Sequence, residues 1–69
     1  MKAYVTNNVL RLRKEKNVTQ EAFADAVGVS RQTVIAIEKG NYIPSLLLGL
    51  KIAKFFNKQL EEVFVYHEK

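Results

Sequence analysis

The chain has no cysteine. That excludes disulfides and every metal site built on thiolates, two of the staples on which very small domains lean. It also fits a reducing compartment. Histidine occurs once, as His67. A lone imidazole cannot close a zinc site, so His67 reads as a solvated tail residue. There is no glycine-rich phosphate loop and no nucleophile set beside a base. The carboxylates Glu21, Asp25, Glu38, Glu61, Glu62 and Glu68 form no paired catalytic arrangement. An enzyme is therefore not expected, and neither is a cofactor or a metal. Long apolar runs are missing too. The longest, Leu46-Leu47-Leu48-Gly49-Leu50, is followed by Lys51 and Lys54 and is far too short to span a bilayer. Met1 to Asn7 lacks the apolar stretch of a signal peptide. The expected setting is cytoplasmic, on the nucleoid, with no membrane partner.

What is present points to a folded domain with a polyanionic partner. A length of 69 residues predicts a single domain over 1–69. Hydrophobic residues at 48% and charged residues at 26% describe a globular chain. The net charge of +4 favours nucleic acid or another polyanion. A core this small is marginal, and self-association is the remaining way to support it.

Capping residues and apolar spacing predict an all-α domain of five short helices. The first is expected to begin near Asn7, capped by Thr6 or Asn7, with Val9 and Leu12 inward and Arg11, Lys14 and Glu15 outward. Asn17 suits a left-handed terminator. Thr19 caps the second helix, which buries Phe23 and Val27 and ends at Gly28. Ser30 caps the third, which buries Val34 and Ile37 and ends at Gly40. Pro44 biases Ile43 away from helix. Ser45 caps a fourth helix to about Phe56, with Leu46, Gly49, Leu50, Ile52, Ala53 and Phe56 as its inward stripe. Asn57 is a further candidate cap, and a short fifth helix is expected over about Gln59 to Val63. The tail Phe64-Val65-Tyr66-His67 is β-prone, and Ala3-Tyr4-Val5 could pair with it as a small ribbon.

Residues 19–39 carry the most specific signal. Two helices crossing at a tight turn need a small residue at their approach, a positive-φ residue to open the turn, an apolar plug after it, and an inward seam on the second helix. Ala24, Gly28, Val29, and Val34 with Ile37 meet those demands in order. The exposed first turn of the second helix then shows Arg31, Gln32 and Thr33. Arg matches the two acceptors of guanine, Gln matches the donor and acceptor of adenine, and Thr offers a hydroxyl or a methyl. Such a helix enters the major groove by its N-terminal part.

The stretch Thr19-Gln20-Glu21-Ala22-Phe23-Ala24-Asp25-Ala26-Val27-Gly28-Val29-Ser30-Arg31-Gln32-Thr33-Val34, with Ile37-Glu38-Lys39-Gly40 and Pro44-Ser45-Leu46, resembles the Cro/repressor-type (Xre) helix-turn-helix family. The likeness covers about Asn8 to Phe64, within an expected core of about 7–64. It implies a compact five-helix lambda-repressor-like fold and sequence-specific binding of double-stranded DNA as a homodimer, in a transcriptional regulator of repressor type. Carried over by position, Arg31, Gln32 and Thr33 would read bases. Gln20, Ser30, Lys39, Asn41 and Tyr42 would contact phosphates. Arg13 and Glu38 match a family pair that joins the first and third helices through a partly buried ion pair. Three features depart from the family pattern. Ala36 is too short to read a base by hydrogen bonds, Asn17 and Asn57 stand where glycine is usual, and Leu47 stands where a polar residue is more common.

Two regions suggest a further contact surface. Leu47, Leu48 and Phe55, with Lys51, are expected on the side of the fourth helix away from its inward stripe, and grouped exposed apolar residues mark contacts. The rival is the tail, through Val65 and Tyr66. Either would serve a homodimer, or a toxin partner if the chain is an antitoxin-type autorepressor. A helical protein-interaction module without DNA binding is the reading of another class, since fold alone does not establish function.

Overall fold

The computed structural model describes residues 1–69. In chain order it contains β1 (Ala3–Asn7), α1 (Val9–Glu15), α2 (Gln20–Val27), α3 (Arg31–Glu38), α4 (Leu46–Phe55), α5 (Leu60–Val63) and β2 (Phe64–Glu68). Five helices enclose one core, and the two ends of the chain meet as an antiparallel ribbon. No helix is long and apolar enough to cross a membrane.

The caps explain most helix boundaries. The side chains of Thr19, Ser30 and Ser45 accept the backbone N–H of Ala22, Thr33 and Leu48, three residues on in each case. Each satisfies a donor that the first helical turn leaves free. Asn17 and Asn57, at φ 59° and 57°, take the left-handed conformation that ends α1 and α4. Asparagine tolerates this better than other non-glycine residues. At the start of α1 the expectation is corrected. Asn7 belongs to β1 and the helix begins at Val9. Asn7 still contributes a cap, because its Oδ1 accepts the N–H of Val9 at 3.0 Å. Its amide also donates to the carbonyl of Ile37 at 2.9 Å, which fastens the ribbon to α3.

The core is formed by Val9 and Leu12 of α1, Phe23, Ala24 and Val27 of α2, Val34 and Ile37 of α3, the inner side of α4, and Val63. The fourth helix is turned relative to its expected stripe. Leu48, Gly49, Ile52, Ala53 and Phe56 are buried, whereas Leu46 and Leu50 are exposed. Leu48, expected outside, is a core residue. The first turn and a half, Leu46 to Leu50, is apolar on every side, so no polar residue there marks the solvent face. The choice falls to tertiary packing, in which Phe56 stacks on Phe23 at 5.2 Å between ring centroids.

The ribbon pairs Tyr4 with His67, Val5 with Tyr66 and Thr6 with Val65. The backbone N–H of Asn8 donates to the carbonyl of Val63 at 2.9 Å, closing the ribbon onto α5. His67 is not a solvated tail residue. It is half-buried, stacks on Tyr4 at 4.8 Å and lies 2.9 Å from the Thr6 hydroxyl through Nε2. Side chains alternate across a strand, so Val65 and Tyr66 point to opposite sides of the ribbon.

Candidate nucleic-acid interface

The α2–turn–α3 unit has the geometry that its residues demand. Ala24 is buried where the helices approach. Gly28 adopts φ 78° and bonds back to the carbonyl of Asp25, while the N–H of Val29 bonds to the carbonyl of Ala24 at 3.0 Å. Only a residue without a Cβ occupies that conformation without strain. Val29 packs against the core, and Val34 and Ile37 are fully buried. The burial of that seam turns Arg31 and Gln32 outward, and both are exposed.

Arg31 occupies the first turn of α3, where no acidic residue accompanies it. A cation there opposes the helix dipole at a cost of about 0.3–1 kcal/mol, and the same end attracts anions. The dipole gives Arg31 no stabilising role at this position, whereas the same end of the helix favours an anionic partner. Arg31 is also held in place. Its Nε donates to Oε1 of Gln20 at 3.3 Å. The amide of Gln20 donates to Oε1 of Glu38 at 3.1 Å. Glu38 in turn receives Arg13, through Nε at 2.6 Å to Oε2 and through Nη2 at 3.3 Å to Oε1. The remaining Nη1 of Arg13 donates to the carbonyl of Val18 at 2.9 Å. The Arg13 and Glu38 side chains are only 10% and 4% exposed, and no buried side-chain polar atom of the protein lacks a partner. One hydrogen-bonded line therefore runs from the interior of α1 to the exposed start of α3.

The other expected contact residues lie around this line. Ser30 accepts from the N–H of Thr33 at 3.1 Å, and their hydroxyls are 3.0 Å apart. Ser30, Gln32, Thr33, Ala36 and Tyr42 border one shallow open hollow. Lys39 and Asn41, both exposed, follow at the end of α3. Sequence reasoning passed over Lys14. It shares a second open hollow with Arg31, Thr19 and Gln20, and so adds a cation to the same face. Its position in the last turn of α1 gave no sign of this, because the neighbour that matters comes from another helix.

Of the two rival contact surfaces, the one on α4 loses Leu48 to the core. Leu47 is exposed. Phe55 is half-buried, with its ring 5.1 Å from that of Phe23 and 5.2 Å from that of Phe56, beneath the Lys16 ammonium. Val65 and Tyr66 occupy opposite sides of the ribbon.

A family model described as helix-turn-helix matches residues 9–63. The chain belongs to the helix-turn-helix family. Among its relatives, an uncharacterized HTH-type transcriptional regulator of Methanocaldococcus jannaschii is 53% identical over 62 residues, covering 90% of this chain and 94% of the relative. The HTH-type transcriptional regulator YgzD of Bacillus subtilis is 52% identical over 63 residues, covering 91% and 96%. The cryptic phage CTXphi transcriptional repressor RstR of Vibrio cholerae is 34% identical over 58 residues, covering 84% of this chain and 52% of its own. In three dimensions the chain is similar to the restriction-modification controller protein C.AhdI of Aeromonas hydrophila, with a TM-score of 0.74 and 31% identity over 80% of this chain and 83% of that one. The transcriptional regulator VanUg, at 23% identity and a TM-score of 0.75, shares the fold over 100% of this chain and 92% of its own.

Proposed function

We propose that this helix-turn-helix protein represses transcription by binding a two-fold-symmetric site on duplex DNA as a homodimer, with α3 of each copy in the major groove. It is a DNA-binding transcriptional regulator. Arg31, Gln32 and Thr33 contact base edges. Gln20, Ser30, Lys39, Asn41 and Tyr42 contact phosphates, joined by Lys14. The observation that carries this reading is Arg31. It stands exposed at the first turn of a helix, where its charge costs stability, and it is aimed by a glutamine from the neighbouring helix. The repressor assignment draws on the name of the Vibrio cholerae relative.

The test is selection of bound duplexes from a random pool with the purified protein. A palindromic consensus is expected, its half-sites about one helical turn, roughly 34 Å, apart. The variant Arg31→Ala should lose the preference at one position of each half-site. Absence of any enriched sequence with the wild-type protein would refute the proposal.

A further inference from the structure

The burial of Val34 and Ile37 fixes which side of α3 faces outward. At about 100° per residue, the opposite side carries Gln32, Ala36 and Lys39. Ala36, in the middle of that line, offers a bare methyl group where a longer side chain would hold the helix off its partner. The chain then returns to the same place. Gly40 takes φ 80°, and the N–H of Asn41 bonds to the carbonyl of Ala36 itself at 2.9 Å. This left-handed reversal brings Tyr42 back beside the helix, where it borders one hollow with Ser30, Gln32, Thr33 and Ala36. Two polar groups of that hollow are already engaged. The Ser30 hydroxyl accepts the N–H of Thr33 at 3.1 Å and lies 3.0 Å from the Thr33 hydroxyl. Helix capping thus occupies both hydroxyls. It leaves the methyl of Thr33, the methyl of Ala36 and the ring of Tyr42 as the apolar groups of the hollow, with the exposed amide of Gln32 at its edge.

We propose that this hollow receives the C5 methyl group of a pyrimidine in the major groove, so that the protein distinguishes thymine from uracil, and 5-methylcytosine from cytosine, at one position of each half-site. The proposal rests on the DNA-reading function above and deepens it. Ala36 changes from a gap in the reading surface into a specificity-determining residue. Among the unmodified bases only thymine shows a methyl in the major groove, and it is met by apolar groups. A methyl at C5 of cytosine stands at the same place. Gln32 matches the donor and acceptor of adenine and lies about 6 Å from Ala36 along the helix axis. That is less than two base-pair steps of about 3.4 Å, so the methyl and the adenine belong to one pair or to neighbouring pairs. The Tyr42 ring can wall the hollow while its hydroxyl reaches a phosphate, so its two roles agree. If Ala36 only gave the helix room, the hollow would stay wet and a methyl would gain nothing there.

Binding titrations of the full chain with the selected duplex test this, each thymine being replaced in turn by deoxyuridine. At one position per half-site, loss of the methyl should weaken binding about fourfold, and about fifteenfold when both half-sites are changed, the worth of a buried group of that size. At the same position 5-methylcytosine should bind better than cytosine by the same factor. In Ala36→Ser both ratios should fall below about twofold, because a hydroxyl then floors the hollow. Arg31 does not border the hollow, so Arg31→Ala should lower overall affinity and keep both ratios. Each ratio compares two duplexes on one variant, so a general loss of stability cancels. If Ala36→Ser fails to fold, Tyr42→Ala decides by the same ratios. A selected sequence without thymine, no thymine whose methyl is worth about twofold, equal binding of cytosine and 5-methylcytosine, or ratios that persist in Ala36→Ser would each overturn the proposal and leave the DNA reading intact. A wild-type chain that selects no sequence refutes the reading itself, and the role of the hollow with it.

Discussion

Replacing Glu38 by alanine gives the sharpest test of how this small domain is held together. The substitution removes the acceptor of two Arg13 hydrogen bonds, at 2.6 and 3.3 Å, and the acceptor of the Gln20 amide at 3.1 Å. The Arg13 side chain is 10% exposed, so its charge would stay inside with only the carbonyl of Val18 as partner. Breaking a buried pair by removing one member costs about 3–5 kcal/mol, because the other charge is left uncompensated. At about 0.05–0.15 kcal/mol per residue, a chain of this length has roughly 3–10 kcal/mol in all. Glu38→Ala should therefore remove about a third of the stability or more. Urea unfolding followed by far-ultraviolet circular dichroism, at one fixed protein concentration, should show the midpoint falling with little change in slope. The double variant Arg13→Met with Glu38→Leu removes both charges and fills the space with apolar groups. It should be close to wild type or more stable. A loss below about 1 kcal/mol in Glu38→Ala, or a double variant as unstable as the single one, would refute the reasoning.

Further outcomes follow from the same structure. Arg31→Ala should weaken specific binding by about 5- to 150-fold, the worth of one bidentate base contact at about 1–3 kcal/mol, as measured by titration of the selected duplex. Titrations across salt should show affinity falling about 10³- to 10⁵-fold between 50 and 200 mM if the dimer neutralises six to ten phosphates; a shallow dependence would contradict a phosphate-anchored reader. Two glycines should respond with opposite signs in thermal unfolding. Gly28 has φ 78° with nothing near its missing Cβ, so Gly28→Ala should cost about 1–2 kcal/mol from backbone strain alone. Gly49 is inside α4, where a Cβ would meet Leu60 at an ordinary 3.4 Å, so Gly49→Ala should gain up to about 1 kcal/mol of helix propensity.

The helix-turn-helix was legible because its steric demands single out residue types at fixed spacings. Ala24, Gly28, Val29, Val34 and Ile37 each have one place to go, and Thr19, Ser30 and Ser45 mark helix starts by side-chain chemistry. The fourth helix was less legible, because its leucines satisfy several inward stripes equally and packing against Phe23 and Val63 makes the choice. Asn7 misled for another reason. One residue ends a strand, caps the next helix and ties to Ile37, and local sequence shows only the capping role. His67 looked free because its hydrogen-bond partner, Thr6, lies 61 positions away. The exposed placement of Arg31 and Gln32 at the start of α3 followed from position alone. The link from Gln20 to both Arg31 and Glu38 did not, since it joins side chains from two helices whose distance no single-helix periodicity encodes.

That link connects stability with reading in a way that one variant can separate. If Arg13 and Glu38 served only to hold α1 against α3, an apolar pair of similar volume would do as well or better. Gln20 gives the pair a second role. Its amide is fixed by Glu38, and its carbonyl oxygen then holds Arg31, whose exposed guanidinium would otherwise sample many rotamers. Ordering a long side chain on binding costs about 0.5–1.5 kcal/mol. The Arg13→Met, Glu38→Leu double variant should thus fold normally yet bind the selected duplex about 2- to 13-fold more weakly. Because Arg31 itself is intact, the preferred sequence should be unchanged. A Gln20→Ala variant should show a loss at least as large, since it removes the hold on Arg31 and the phosphate contact proposed for Gln20. Should the double variant bind as tightly as wild type, the ion pair would be a structural tie alone and the aim of Arg31 would come from the DNA it meets.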